Sequence, residues 1–149
     1  MQYNESEFLF ETEVPAEETI ISRTDLDGNI TYANETFCEI SGYEVDELIG
    51  MPHNIVRHPD MPSAIFSELW EALHNGEQWR GVIKNLRSDK GYYWVNAIVS
   101  GVFKDGVLVE YKSIRSPVSR EDKIKHQKLY DKMRQENGEK VRKIIYEGK

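Results

Sequence analysis

Hydrophobic and polar positions change rhythm along this chain, and each rhythm predicts an element. Residues 19–24 and 29–33 are short strand-like runs on either side of Asp25-Leu26-Asp27-Gly28. An Asp-Gly step between two such runs is a hairpin signal. Asn34 stands where a helix running to Ile40 needs an N-cap, and Ser41-Gly42 ends that helix. Residues 45–49 form a second short helical piece, stopped by Gly50. The clearest helix covers residues 63–73, where Phe66, Leu69, Trp70 and Leu73 fall at i, i+3, i+4 and i+7 of a 3.6-residue period. Three strand-like runs follow over residues 79–87, 92–103 and 107–115, joined by Ser88-Asp89-Lys90-Gly91 and Lys104-Asp105-Gly106. Both glycine turns suit antiparallel hairpins. The predicted fold is α+β: a five-stranded antiparallel sheet, with helices inserted between strands 2 and 3 covering one face.

The ends differ in character from this block. Residues 1–16 form an acidic leader in which Phe8-Leu9-Phe10 predicts a short amphipathic piece docked on the core. Residues 17–118 make the folded domain, and residues 119–149 a charge-rich helical tail. Ser119-Arg120-Glu121-Asp122 opens the tail like a capping box, with Asp in place of the usual Glu. Ile124, Tyr130, Met133, Val141, Ile144 and Ile145 keep a rough helical period, broken at Asn137-Gly138. That stripe is too irregular for a coiled coil and suits an output helix that pairs with a partner or a second copy.

One stretch obeys neither period: Pro52-His53-Asn54-Ile55-Val56-Arg57-His58-Pro59-Asp60-Met61-Pro62. Each proline fixes its own φ and restricts the residue before it, so the segment is a rigid, irregular, charged connection. Binding residues concentrate on such loops when a scaffold holds them.

Composition narrows the function. A chain of 149 residues with 39% hydrophobic content can bury one core. The net charge of −7 and the lack of any basic block argue against nucleic acid and anionic membrane surfaces as partners. Cys38, the single cysteine, forms neither an internal disulfide nor a cysteine zinc site. No apolar run approaches the ~20 residues of a spanning helix, and the acidic start has no signal-peptide layout. The expectation is a cytoplasmic chain without a membrane span.

With these residues in place, a family resemblance emerges. Residues 17–118 resemble a PAS domain, through Thr24-Asp25-x-x-Gly28-x-Ile30, Asn34-x-x-Phe37, Ser41-Gly42-Tyr43-x-x-x-Glu47-Leu48-Ile49-Gly50 and Gly91-x-Tyr93-Trp94-Val95. The proline-fenced loop resembles more narrowly the FAD-binding PAS domain of Aer-type aerotaxis and energy-taxis receptors. Trp70, Gly81, the Lys84-Asn85 pair and Tyr111-x-Ser113-Ile114-Arg115 extend that likeness. It implies an FAD cofactor, a redox-sensing role, and a chemoreceptor or other signalling protein that supplies the output, with a homodimer through the flanking helices as a further option. No HAMP segment or methyl-accepting bundle follows, so the output is expected outside this chain.

The residues support a flavin in their own right. FAD carries a planar ring that needs an apolar slot and a pyrophosphate that needs local positive charge. Arg57 and His58, with His53 one helical turn before Arg57, are the densest basic patch of the fold. Arg grips phosphate oxygens with a fork that Lys lacks. Asp60 orients Arg57 or His58, or accepts from a ribose or adenine group. Trp70 lines the slot from the helix, while Trp79, Gly81, Ile83 and Asn85 share one strand face by period-two alternation. Gly81 lets a ring approach the backbone, and Asn85 offers both donor and acceptor to the ring's polar edge. Asn34 joins the candidates alongside its capping role.

Catalysis finds little support. The chain lacks a nucleophile elbow, a phosphate-cradling glycine loop and a metal-type His-x-x-x-His pair. Cys38 lies two elements before the helix that carries the reactive cysteine of light-sensing PAS domains, and Ile55, Val56 and Arg57 stand there instead. Two other readings remain: a haem-binding gas sensor using His53, His58 or His74, and a cofactor-free interaction module.

Overall fold

The computed structural model describes residues 10–139. In chain order the elements are β1 (Ile20–Thr24), β2 (Ile30–Ala33), α1 (Glu35–Ser41) and α2 (Val45–Leu48). A 3-10 turn (His53–Val56), α3 (Ser63–His74), β3 (Trp79–Leu86), β4 (Tyr92–Lys104), β5 (Val107–Ser116) and α4 (Arg120–Glu136) follow. All strand pairs are antiparallel and the sheet order is β2-β1-β5-β4-β3. The α+β expectation holds.

This order positions the site. β2 and β3 are consecutive strands yet lie at opposite edges, so the chain between them must cross the whole sheet. α1, α2, the 3-10 turn and α3 make that crossing over one face. The β1–β2 turn is held by Asp25 Oδ1, which accepts from the Asp27 and Asn29 amides at 2.9 Å each, with Gly28 at φ +87°. Ile20, Ile30, Phe37, Leu48, Val56 and Val95 are fully enclosed between the sheet and the crossing segment.

The cross-strand register aligns one row of side chains on the covered face. Ser22 pairs with Ser113 and Thr24 with Tyr111, while Ala97 pairs with Arg115 on one side and Gly81 on the other. Ile83 and Asn85 stand opposite Val95 and Tyr93. Val82 and Lys84 alternate with them and therefore point to the other face, where α4 lies. Tyr130 donates its hydroxyl to the Val82 carbonyl at 2.5 Å, and Lys84 Nζ donates to Gln127 Oε1 at 2.9 Å.

Ser119 caps α4, its hydroxyl accepting from the Asp122 amide at 3.2 Å. The helix docks differently from the predicted apolar stripe: Tyr130 and Arg134 are its buried residues, whereas Ile124 is 48% exposed. Val141, Ile144 and Ile145 lie outside the described residues, as do Phe8 and Leu9. At the other end, the Thr12 amide donates to the Tyr92 carbonyl at 2.8 Å and the Tyr92 amide to the Phe10 carbonyl at 2.9 Å. Lys123 bridges leader and tail, with its ammonium 2.5 Å from Glu11 and 2.8 Å from Glu13.

Candidate functional site

A cavity of about 260 Å³ lies between the covered sheet face and the crossing segment. Val56, Phe66, Leu69, Leu73, Ile83 and Val99 make its apolar wall, and Trp70 and Tyr111 add aromatic surface. Its polar lining comes from Ser22, Thr24, His53, Arg57, Asn85 and Arg115, with Asn54 and Lys112 toward the rim. An apolar slot with a few convergent polar groups is the usual form of a small-molecule site. This volume suits a fused-ring group. A second, shallower depression of about 510 Å³ adjoins it, and Asn54 and Arg57 line both.

Three candidate residues meet at the cavity. Arg57 is exposed at its rim, its guanidinium 4.1 Å from the centroid of the Phe66 ring. Among the described residues no carboxylate pairs with it. The backbones of Arg57 and Asn85 form an isolated antiparallel bridge, so the proline-fenced loop is laid directly on the edge strand. Asn85 is 5% exposed and faces the cavity. Trp70 is 38% exposed and packs edge-on to Tyr111, with ring centroids 5.4 Å apart. Its neighbours on the stripe, Leu69 and Leu73, are buried as core. A tryptophan left half-covered beside a slot marks a surface suited to a ligand.

Four candidates stand elsewhere. Asn34 is fully occupied by backbone: Oδ1 accepts from the Ile21 and Phe37 amides at 3.1 Å each, and Nδ2 donates to the Thr19 carbonyl at 2.9 Å. It ties α1 to β1 and does not line the cavity. Trp79 shares the expected strand face, but its indole lies over Gly81, where a β-carbon would fall 2.3 Å from the ring. Its Nε1 donates to Glu68 Oε1 at 3.1 Å, which fastens β3 to α3. The open approach expected at Gly81 is thus taken by a neighbouring side chain.

His58 and Asp60 turn away from the cavity into a buried ion cluster. Asp60 Oδ2 receives Lys84 Nζ at 2.9 Å, and Oδ1 lies 3.5 Å from Arg134 Nη1. His58 Nδ1 accepts from the Asp60 amide at 2.9 Å, which makes that nitrogen the unprotonated one. Asp60 therefore fastens the loop to β3 and α4, while His58 packs edge-on to Tyr92 of β4. Pro59 and Pro62 reverse the chain at this point, so residues three apart face different sides. Sequence spacing alone hid that split.

The residues not singled out as ligands include the most polar part of the cavity. Arg115, 2% exposed, donates through Nη2 to Ser22 Oγ at 2.6 Å. Ser22 Oγ also sits 2.9 Å from His53 Nε2, and the His53 ring stacks on Phe37 at 5.7 Å. Burial and the neighbouring Arg115 cation push the His53 pKa down to about 3, so the imidazole is neutral. Burial lowers Arg115 to about 10 and raises Tyr93 to about 12, which leaves Arg115 charged and Tyr93 a phenol at neutral pH. A signal for Arg115 did exist. Alternation in β5 places Tyr111, Ser113 and Arg115 on one face, so a guanidinium must turn inward. His74 packs against Trp70 and Cys38 sits on α1; neither lines the cavity.

A family profile described as the PAS fold matches residues 30–115. Among curated proteins, the chain is 42% identical over 130 residues to the aerotaxis receptor of Escherichia coli, covering 87% of this chain and 25% of the receptor. It is 33% identical over 112 residues to the nitrogen fixation regulatory protein of Klebsiella pneumoniae, covering 74% of this chain and 23% of that protein. The chain thus spans about a quarter of the length of these relatives. Among solved structures, a PAS domain from Colwellia psychrerythraea superimposes with a TM-score of 0.62 at 26% identity, over 68% of this chain and 87% of that one. The light-state structure of the blue-light photoreceptor Aureochrome1 LOV gives 0.65 at 24% identity, over 79% and 91%, a likeness of fold.

Proposed function

This chain belongs to the PAS family, a sensor fold, and from that premise we propose that it is the FAD-binding redox-sensing domain of an aerotaxis or energy-taxis pathway. The observation that carries the reading is the pair of adjoining depressions that share Arg57. The enclosed one suits the isoalloxazine ring, with Asn85 at its polar edge and Trp70 on its helix side. Arg57, standing where the two meet, would hold the pyrophosphate by charge-assisted bonds. The shallower depression, lined by His58, Pro59, Met61 and Ser63, leaves space for the adenosine end. That second space favours a dinucleotide over a mononucleotide.

Bound there, a flavin would supply reversible electron uptake, with an exchange of hydrogen-bond acceptor for donor at its polar edge. Asn85, whose amide offers both roles, is suited to register that change. A conformational equilibrium moves only by the difference in interaction energy between the two redox states, typically ~1–3 kcal/mol. The output belongs to a chemoreceptor or other signalling protein, in line with the name of the aerotaxis relative. Residues 1–16 and 119–149 flank the sensor domain of residues 17–118 and would pass the signal, or pair two copies.

The test is the absorption spectrum of the purified protein, followed by chromatography of the cofactor released on heating. Paired near-ultraviolet and blue bands with FAD in the supernatant support the reading. A Soret band, FMN, or no visible band overturns it.

A further inference from the structure

We propose that Arg115 is the electrostatic partner of the cofactor's ring, holding the negative charge that reduction places on the carbonyl edge of an isoalloxazine and keeping N1 deprotonated. The inference rests on the flavin reading above and deepens it. Among the described residues, Arg115 differs from the other enclosed cations. Lys84 and Arg134 both meet Asp60, whereas no carboxylate pairs with Arg115.

Its surroundings are neutral on every side. Ser22 comes from β1, Phe37 from α1, with its ring 4.5 Å from the guanidinium carbon, and His53 from the 3-10 turn. Ser22 and Arg115 both direct donors at His53 Nε2, which is therefore the acceptor nitrogen of an uncharged ring. Tyr93 approaches from β4 as an un-ionised phenol. Arg115 Nε, fully buried, has no hydrogen-bond partner among the described residues. A buried cation without a counter-charge is unfavourable, and an electron-rich group in the cavity removes that penalty. Arg57 cannot supply the counter-charge and stands apart at the exposed rim. The two arginines therefore divide the labour, one toward phosphate and one toward the ring.

The chemistry balances with one proton. The oxidised ring accepts two electrons from a reduced carrier such as a quinol, or from dithionite in the laboratory. One proton goes to N5, and the ring becomes a monoanion whose charge is shared by N1 and the adjacent carbonyl oxygen. Charge placed near N1 is among the recognised levers by which a protein tunes a flavin.

The experiment is a potentiometric titration of flavin-loaded protein at several pH values from about 6 to about 9, comparing the natural chain with Arg115→Gln and Arg115→Lys. The natural protein is expected to take up one proton per two electrons, so its potential falls half as steeply with pH as a two-proton couple. Arg115→Gln should steepen that dependence and lower the reduced-to-oxidised ratio at a fixed donor potential by roughly tenfold. Arg115→Lys should restore most of both. Full flavin occupancy with unchanged slope and ratio in Arg115→Gln overturns the proposal. Should that variant not fold, the spectrum of the reduced natural protein decides: invariance with pH supports the charge pairing, and a protonation step in that range defeats it. A protein without flavin bands would instead remove the parent reading, and this one with it.

Discussion

Lys84 and Asn85 are consecutive on β3 and face opposite sides of the sheet. Asn85 lines the cavity, while Lys84 places its ammonium 2.9 Å from Asp60 beneath α4. The loop repeats this split, with Arg57 at the cavity rim and Asp60 in the ion cluster. Two short segments, bridged at Arg57 and Asn85, thus connect the cavity directly to the C-terminal helix. On the proposed function, a change in hydrogen bonding at a bound ring would reach this path through Asn85.

Replacing Asn85 by Ala should therefore leave FAD bound through Arg57 but weaken the link between redox state and α4. Hydrogen exchange of residues 120–136 is expected to differ between oxidised and reduced protein by the equivalent of ~1–3 kcal/mol, and to lose that difference in Asn85→Ala. Identical protection in the two redox states of the natural protein would rule this route out.

Asp60→Asn removes the shared counter-charge of Lys84 and Arg134. Breaking a buried pair from one side costs about 3–5 kcal/mol, because the remaining charges stay enclosed. Urea unfolding should show this loss, with α4 the first element to lose exchange protection. A stability change under about 1 kcal/mol would mean that Asp131, 2.7 Å from Arg134, takes over as the counter-charge of the cluster.

Arg57→Ala acts on binding far more than on stability, where it removes only the contact with the Phe66 ring. Its side chain is exposed and among the described residues pairs with no carboxylate, so unfolding should be nearly unchanged. Loss of charge-assisted bonds worth ~1.5–3 kcal/mol should empty much of the FAD site. Equal occupancy in equilibrium dialysis would deny Arg57 a role in holding phosphate.

Trp70→Phe keeps an aromatic ring at a position 38% exposed, so the fold should survive. FAD affinity should fall by roughly 0.5–1.5 kcal/mol of aromatic contact, and FAD-dependent quenching of tryptophan fluorescence should shrink. Unaltered quenching on titration would show that the flavin stacks elsewhere.

His53 sets a pH dependence of stability. Its folded pKa of about 3 lies below the ordinary 6.5, so between these values the unfolded chain binds the extra proton. The contribution is intact above pH 6.5 and is lost as pH falls toward 3, at up to about 1.4 kcal/mol per pH unit. His53→Gln should flatten this part of the curve in denaturant titrations. The same slope in the variant would assign the acid sensitivity to other groups.

Local signals determined much of this protein. Turn chemistry at Asp25–Gly28, the cap at Asn34, the helical period of Phe66 to Leu73 and the alternation through Asn85 are all short-range, so the element order and sheet class were legible. So was the gathering of Trp70 and Asn85, because each lies on an element whose period reveals its exposed or covered face. Tertiary structure alone decided which way the proline-fenced loop turns its side chains. A loop has no period, and Arg57, His58 and Asp60 face different sides because the loop is clamped between β3 and α4. It also decided that Trp79 fills the space over Gly81. Arg115 is the sharpest case: its strand and face could be read in advance, but the absence, among the described residues, of any carboxylate beside it depends on which residues β1, α1 and β4 bring from distant parts of the chain.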